Sequence, residues 1–200
     1  MELTERERRA IQGQFSAGVT RCTSQIEKLS RTQWGLMSTG SQQMTAVGML
    51  SWFRRNKEKH YAVKFSSTSE LLIEVLFLYA QGSAEAVCDV VTRPYREKMS
   101  KLSNLVTLTV GEVSNILGHG IVGALADAIE VPIILSVPQI SEGPKVDLLA
   151  DAFKDYDGRK DTLLLSQVEL YSMSLKAECT ILFILDTKSI KKYVRKIPVN

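Results

Sequence analysis

Between Val106 and Ala128 the apolar residues recur every three or four positions, and this pattern constrains the chain more than any other feature. At 100° per residue, Val106, Val110, Val113, Leu117, Ile121, Ala124 and Ala128 share one helical face, which needs a core to pack on. Leu108, Glu112, Asn115 and His119 form a narrow stripe on the other side. Glu112 and Asn115 are three residues apart, so a helix points both side chains the same way. By residue type alone, such a pair is more often an ordinary solvated helix surface.

The rest of the chain repeats this organisation. Residues 13–18 echo 114–119, residues 46–53 sit against 146–153, and residues 75–83 against 181–189. Three matches in one order at nearly constant offset indicate two halves, 1–100 and 101–200, within a single domain of 200 residues. Each half reads as a long helix (4–29, where Thr4 and Glu7 form a capping box, and 102–129). A short strand follows, near Trp34 to Met37 in the first half and Ile133 to Val137, ended by Pro138, in the second. Next come a short helix (44–53 and 145–153), a hairpin (61–66 with 70–79, and 162–171 with 174–185) and a closing helix (84–99 and 190–195). Leu175, Ala177, Cys179, Ile181, Phe183 and Leu185 alternate as in a strand with one buried face. The expected fold class is α+β: a pseudo-twofold repeat with a largely antiparallel sheet and two long helices packed on it.

Composition removes several function classes. A net charge of +3 is too weak to argue for nucleic acid. The run Arg54 to His60 is broken by Glu58 and reads as a solvated connection. Cys22, Cys88 and Cys179 are far apart in apolar settings, which fits reduced, buried thiols. With two histidines, His60 and His119, no His-rich metal cluster can be assembled. The N-terminus is charged and lacks a signal-peptide core, and the apolar runs 70–80 and 179–185 are too short to span a bilayer. A cytoplasmic protein without a membrane span is expected. Gly13, Gly18, Gly118, Gly120 and Gly123 are expected to allow close helix packing, since no strand, Gly-rich loop and helix combine into a nucleotide site.

Glu112, Asn115, Ile116 and Gly118, with Pro138 downstream, resemble the signature of the CheC/CheX/FliY family of chemotaxis phosphatases: E-x-x-N on a helix and a later proline beside a short strand. The position four before the glutamate, usually Asp or Ser in that family, is Leu108 here. The resemblance implies hydrolysis of the aspartyl phosphate on a CheY-like response-regulator receiver in chemotaxis signalling. Asn115 would orient the attacking water, and Glu112 would pair with the receiver's lysine. No cofactor is expected on this chain; Mg²⁺ belongs to the partner receiver. Aligning Gln14 with Asn115 sets Ile11 opposite Glu112, so the first half is expected to carry a degenerate site. Alternative readings are a non-catalytic module that binds a receiver or a CheD-like deamidase, and a flagellar-switch component of the FliY kind. The last is ranked lower on the expectation that no further domain follows Asn200.

Overall fold

The computed structural model describes residues 2–53, 58–99, 102–157 and 161–197; residues 54–57 of the basic run lie outside that set. In chain order the elements are α1 (Glu5–Ser30), β1 (Gly35–Thr45), α2 (Ala46–Phe53), β2 (Lys59–Ser66), β3 (Ile73–Ala80), α3 (Gln81–Thr92), α4 (Arg96–Met99), α5 (Leu105–Ile129), β4 (Gln139–Pro144), α6 (Lys145–Ala152), β5 (Thr162–Ser172), β6 (Ala177–Asp186) and α7 (Thr187–Lys191). α1 begins where the sequence announces it. The Thr4 hydroxyl accepts from the Glu7 backbone N–H, and the Glu7 carboxylate accepts from the Thr4 N–H at 2.7 Å. α1 and α5 both stop at a left-handed residue, Arg31 and Glu130.

Six strands form one antiparallel sheet in the order β1-β5-β6-β3-β2-β4. Exchanging β1 with β4, β2 with β5 and β3 with β6 reverses this order onto itself, so the sheet has the expected pseudo-twofold layout. The exchange is physical too. β1 pairs with β5, as in Gly40 opposite Gln167, and β4 pairs with β2, as in Ala62 opposite Ser141. Each outer strand thus belongs to one half and is held by the hairpin of the other.

Three layers result, one more than the alternation in β6 suggests. α1 and α5 cover one face through Phe15, Val19, Val113, Leu117, Ile121, Phe77 and Phe183. The other face is covered by α2 and α6, with Met49, Leu148 and Leu149 against Leu76, Leu163, Leu182 and Ile184. Residues 181–185 are therefore buried on both faces, and their unbroken apolar run is the mark of such a strand. The short strand expected at 133–137 is corrected. There Leu135 makes one isolated bridge to Ser67, and the strand starts after Pro138. A proline has no N–H to give a ladder, so it is tolerated at the start of an edge strand. In the first half, β1 runs well past Met37 to Thr45.

α1 and α5 cross at glycines. A Cβ on Gly18 would lie 2.9 Å from both the Cα and the carbonyl oxygen of Ile121, and one on Gly120 would strike the Cys22 sulfur. Gly13 and Gly123 have open space around their Cα hydrogens, so the packing role expected of all the helical glycines does not extend to them. Gly18→Val is expected to lower stability by about 1–3 kcal/mol through forced separation of the two helices. Gly13→Ala is expected to raise it by about 0.5–1 kcal/mol through the lost flexibility of the unfolded chain. Urea unfolding of the two variants checks the pair; equal effects of one sign would contradict the crossing geometry.

α5 is also long and apolar enough to cross a membrane. Its apolar side, however, is spent on α1 and the sheet, with twelve of its residues buried, among them Val110, Val113, Leu117 and Ile121. It is a core helix.

Candidate functional site

Two contacts seat α5 at the turn that carries the stripe. Ser114, fully buried, shares a 2.9 Å hydrogen bond with the Tyr79 hydroxyl on β3. A side chain on Gly111 would meet Ile140 of β4 at 2.6 Å, and one on Gly118 would touch the Phe77 and Phe65 rings. Small residues at 111, 114 and 118 thus let the helix lie close on the sheet and hold the intervening turn rigidly. Burial raises the ordinary ionisation range of the Tyr79 hydroxyl and of the neighbouring Cys179 thiol, the latter to about 12. Both groups are therefore neutral packing elements. All three cysteines are free and buried, as expected.

The other side of this turn is open. Glu112 is exposed and Asn115 half-exposed, on the side opposite Ser114 and Val113. Among the described residues, neither side chain is engaged in a hydrogen bond or ion pair. A carboxylate and a carboxamide are thus held by a rigid backbone and left free for a partner. Leu108 continues the stripe at 46% exposure. His119 also lies on it, but its ring packs edge-on against Phe65 with centroids 6.4 Å apart, which gives the imidazole a packing role. Pro138 is half-buried, one residue before β4, the strand whose Ile140 lies under Gly111. No three His, Cys, Asp or Glu side chains come together among the described residues in a way that could hold a metal.

The first-half counterpart of this site is corrected. The alignment of Gln14 with Asn115 sets Ile11 opposite Glu112, yet Ile11 is 0% exposed and belongs to the core. The left-handed ends of α1 and α5, Arg31 and Glu130, set the helices in register at an offset of 99. That offset matches buried with buried: Ile11 with Val110, Phe15 with Ser114, Cys22 with Ile121 and Ile26 with Leu125. Gly13 then faces outward where Glu112 does, and Ser16 where Asn115 does; Gln14 falls opposite buried Val113. The first helix lacks the acid and the amide at those positions too, but through a glycine and a serine. The short echo between 13–18 and 114–119 could not show this, because a two-residue slip turns a helix by about 200°. What did carry the information was the spacing of buried residues along α1.

No described sequence family matches the chain, and no curated protein does. Solved structures do match. FliY from Thermotoga maritima superposes with a TM-score of 0.75 at 13% identity, covering 98% of each chain. FliM in the FliM–SpeE complex from H. pylori gives 0.68 at 12% identity, over 98% of this chain and 96% of that one. The chemotaxis protein CheX from Desulfovibrio desulfuricans gives 0.55 at 12% identity, over 86% and 99%. At such identities the likeness concerns architecture, and it extends over nearly the whole length: the chain has the fold shared by FliY, the FliM middle domain and CheX.

Proposed function

We propose that the chain is a phosphatase that hydrolyses the aspartyl phosphate of a CheY-like receiver domain. The carrying observation is the unengaged Glu112–Asn115 pair on one exposed turn of α5, pinned from below by Ser114 and Gly111. The receiver contributes the phosphorylated Asp, its Mg²⁺ and a lysine. What the reaction lacks is a water in line with the P–O bond to the aspartyl oxygen. An amide offers both a donor and an acceptor and bears no charge, so Asn115 can hold that water beside an anionic phosphoryl group without repelling it. The water oxygen bonds to phosphorus, the Asp carboxylate leaves with the electron pair, and inorganic phosphate departs. The gain comes from orientation, as with the water-positioning glutamine of GTPases. Glu112 pairs with the receiver's lysine and sets Asn115 at the right height. Phosphate release from receivers charged with acetyl phosphate, with and without the chain, tests the reading. Binding without faster release would overturn it.

A second reading has its own support. The TM-score with FliM in complex with SpeE, 0.68, exceeds that with CheX, and FliM is also a structural match in its complex with FliG, at 0.66. This favours a non-catalytic module that assembles with other proteins, a receiver or a CheD-like deamidase among them. One gain-of-function variant would favour the phosphatase reading over this one. Gly13 has open space for a side chain and Ser16 is half-exposed. Gly13→Glu with Ser16→Asn should therefore restore measurable phosphate release to a protein carrying Asn115→Ala. Absence of any restored turnover would mean that the E-x-x-N pair needs more of its surroundings than the pseudo-twofold supplies.

A further inference from the structure

Along one flank of the Glu112 stripe runs a groove of about 500 Å³, walled by the last turn of α1, the stretch from the end of α3 through α4 to Leu102, and the first three turns of α5. Its apolar lining is largely uncovered. Leu29, Tyr95, Leu102 and Leu108 all border it and all are exposed, although most other large apolar side chains are in the core. Its rim is bipolar. Lys28 and Arg31 stand on the α1 side, exposed and, among the described residues, without an ionic partner. Glu112 stands on the α5 side. Leu108 thus has an account that the stripe alone does not provide: it is the apolar wall between groove and site.

We propose that this groove seats the receiver itself, taking up an apolar side chain that protrudes beside the receiver's phosphorylation site and is followed by a carboxylate. Leu108 and Leu102 grip the apolar group, Lys28 and Arg31 take the carboxylate, and Glu112 is left for the receiver's lysine. Charge complementarity chooses this occupant. The same partner face must offer a cation to Glu112 and an anion to the opposite rim, with apolar surface between, and a receiver already brings the cation. Leu108 is then a specificity-determining residue that selects among receivers. The inference rests on the phosphatase reading.

The test uses the full chain and the CheY-like receiver that, loaded with beryllofluoride, binds it most tightly in a panel. Initial rates are measured against receiver concentration, and binding is titrated separately with the same receiver loaded with beryllofluoride. Leu108→Asp is expected to raise KM and Kd about tenfold or more while kcat stays within about twofold, the loss expected of an apolar anchor truncated at an interface. Lys28→Glu combined with Arg31→Glu is expected to weaken binding similarly and to flatten its salt dependence. Leu108→Met should behave as the parent, which a mere loss of shape would not permit. Leu102→Asp, on the segment before α5, reports the same groove should Leu108→Asp not fold. Unchanged KM and Kd in Leu108→Asp or Leu102→Asp would overturn the groove while leaving the phosphatase standing. Binding that depends on these residues with no phosphate release by the parent would keep the groove and overturn the phosphatase. No binding by the parent to any receiver would overturn both.

Discussion

Asn115→Ala should lower the rate of phosphate release from a phosphorylated receiver on the order of 100-fold while leaving receiver affinity nearly unchanged. The asymmetry follows from where the amide sits. It is half-exposed on α5, makes no hydrogen bond to another side chain among the described residues, and is separated from the core by the Ser114–Tyr79 anchor on the helix underside. Removing it breaks no polar contact within the fold, and what is lost is the orientation of a water that is present only in the complex. Glu112→Ala should show another pattern, with a raised Kd as well as a slower rate, because it leaves the receiver's lysine unpaired at the interface. Glu112→Lys should be weaker still, since it opposes like charges. Steady-state rates and a binding titration on the three variants separate the effects. Turnover in Asn115→Ala equal to the parent would remove the amide from the chemistry and bring the assembly reading forward.

Phe183→Ala should cost about 3–5 kcal/mol of stability, the range of a large buried aromatic truncated in a core. Phe183 is fully buried near the middle of β6, and its ring stacks on Phe15 of α1 with centroids 3.9 Å apart and planes 6° apart. β6 is a central strand paired on one side with β5 and on the other with β3, so the backbone around the vacated space cannot collapse into it. The contact also joins a helix of the first half to a strand of the second. Urea unfolding should therefore show one transition displaced as a whole. A loss below about 1 kcal/mol would show that the layer between α1 and the sheet can repack.

The long helices were legible because their signals are local. A 3.6-residue period, the Thr4–Glu7 capping box and an apolar back for the sheet all lie within one segment. The hairpins were legible for a similar reason, as two apolar runs close in sequence. β4 was not: Gln139–Pro144 holds a glycine, a glutamate and a proline, and its ladder partner β2 is some eighty residues earlier. β1 extended beyond its expected end for the same reason, because Ser38 to Thr45 are extended by their pairing with β5 and not by their own preference. At the site, the sequence placed Glu112, Asn115 and Leu108 on one open face, as observed. It misplaced the counterpart positions in α1, and it contained no sign of the groove, whose walls come from three separate stretches of chain.

The crossed pairing of the outer strands has a bearing on how the chain is made. When a ribosome has released the first hundred residues, β2 and β3 can close as a hairpin and α1 can form. β1, however, has no strand to lie against until residues 162–172 emerge. During that interval an eleven-residue segment, Gly35–Thr45, with no charged side chain and no proline, waits in the open. It lacks the charges and prolines that discourage unwanted strand pairing between neighbouring nascent chains. Completion of β5 ends that interval, so β1 gains its partner with the second hairpin and not with either long helix.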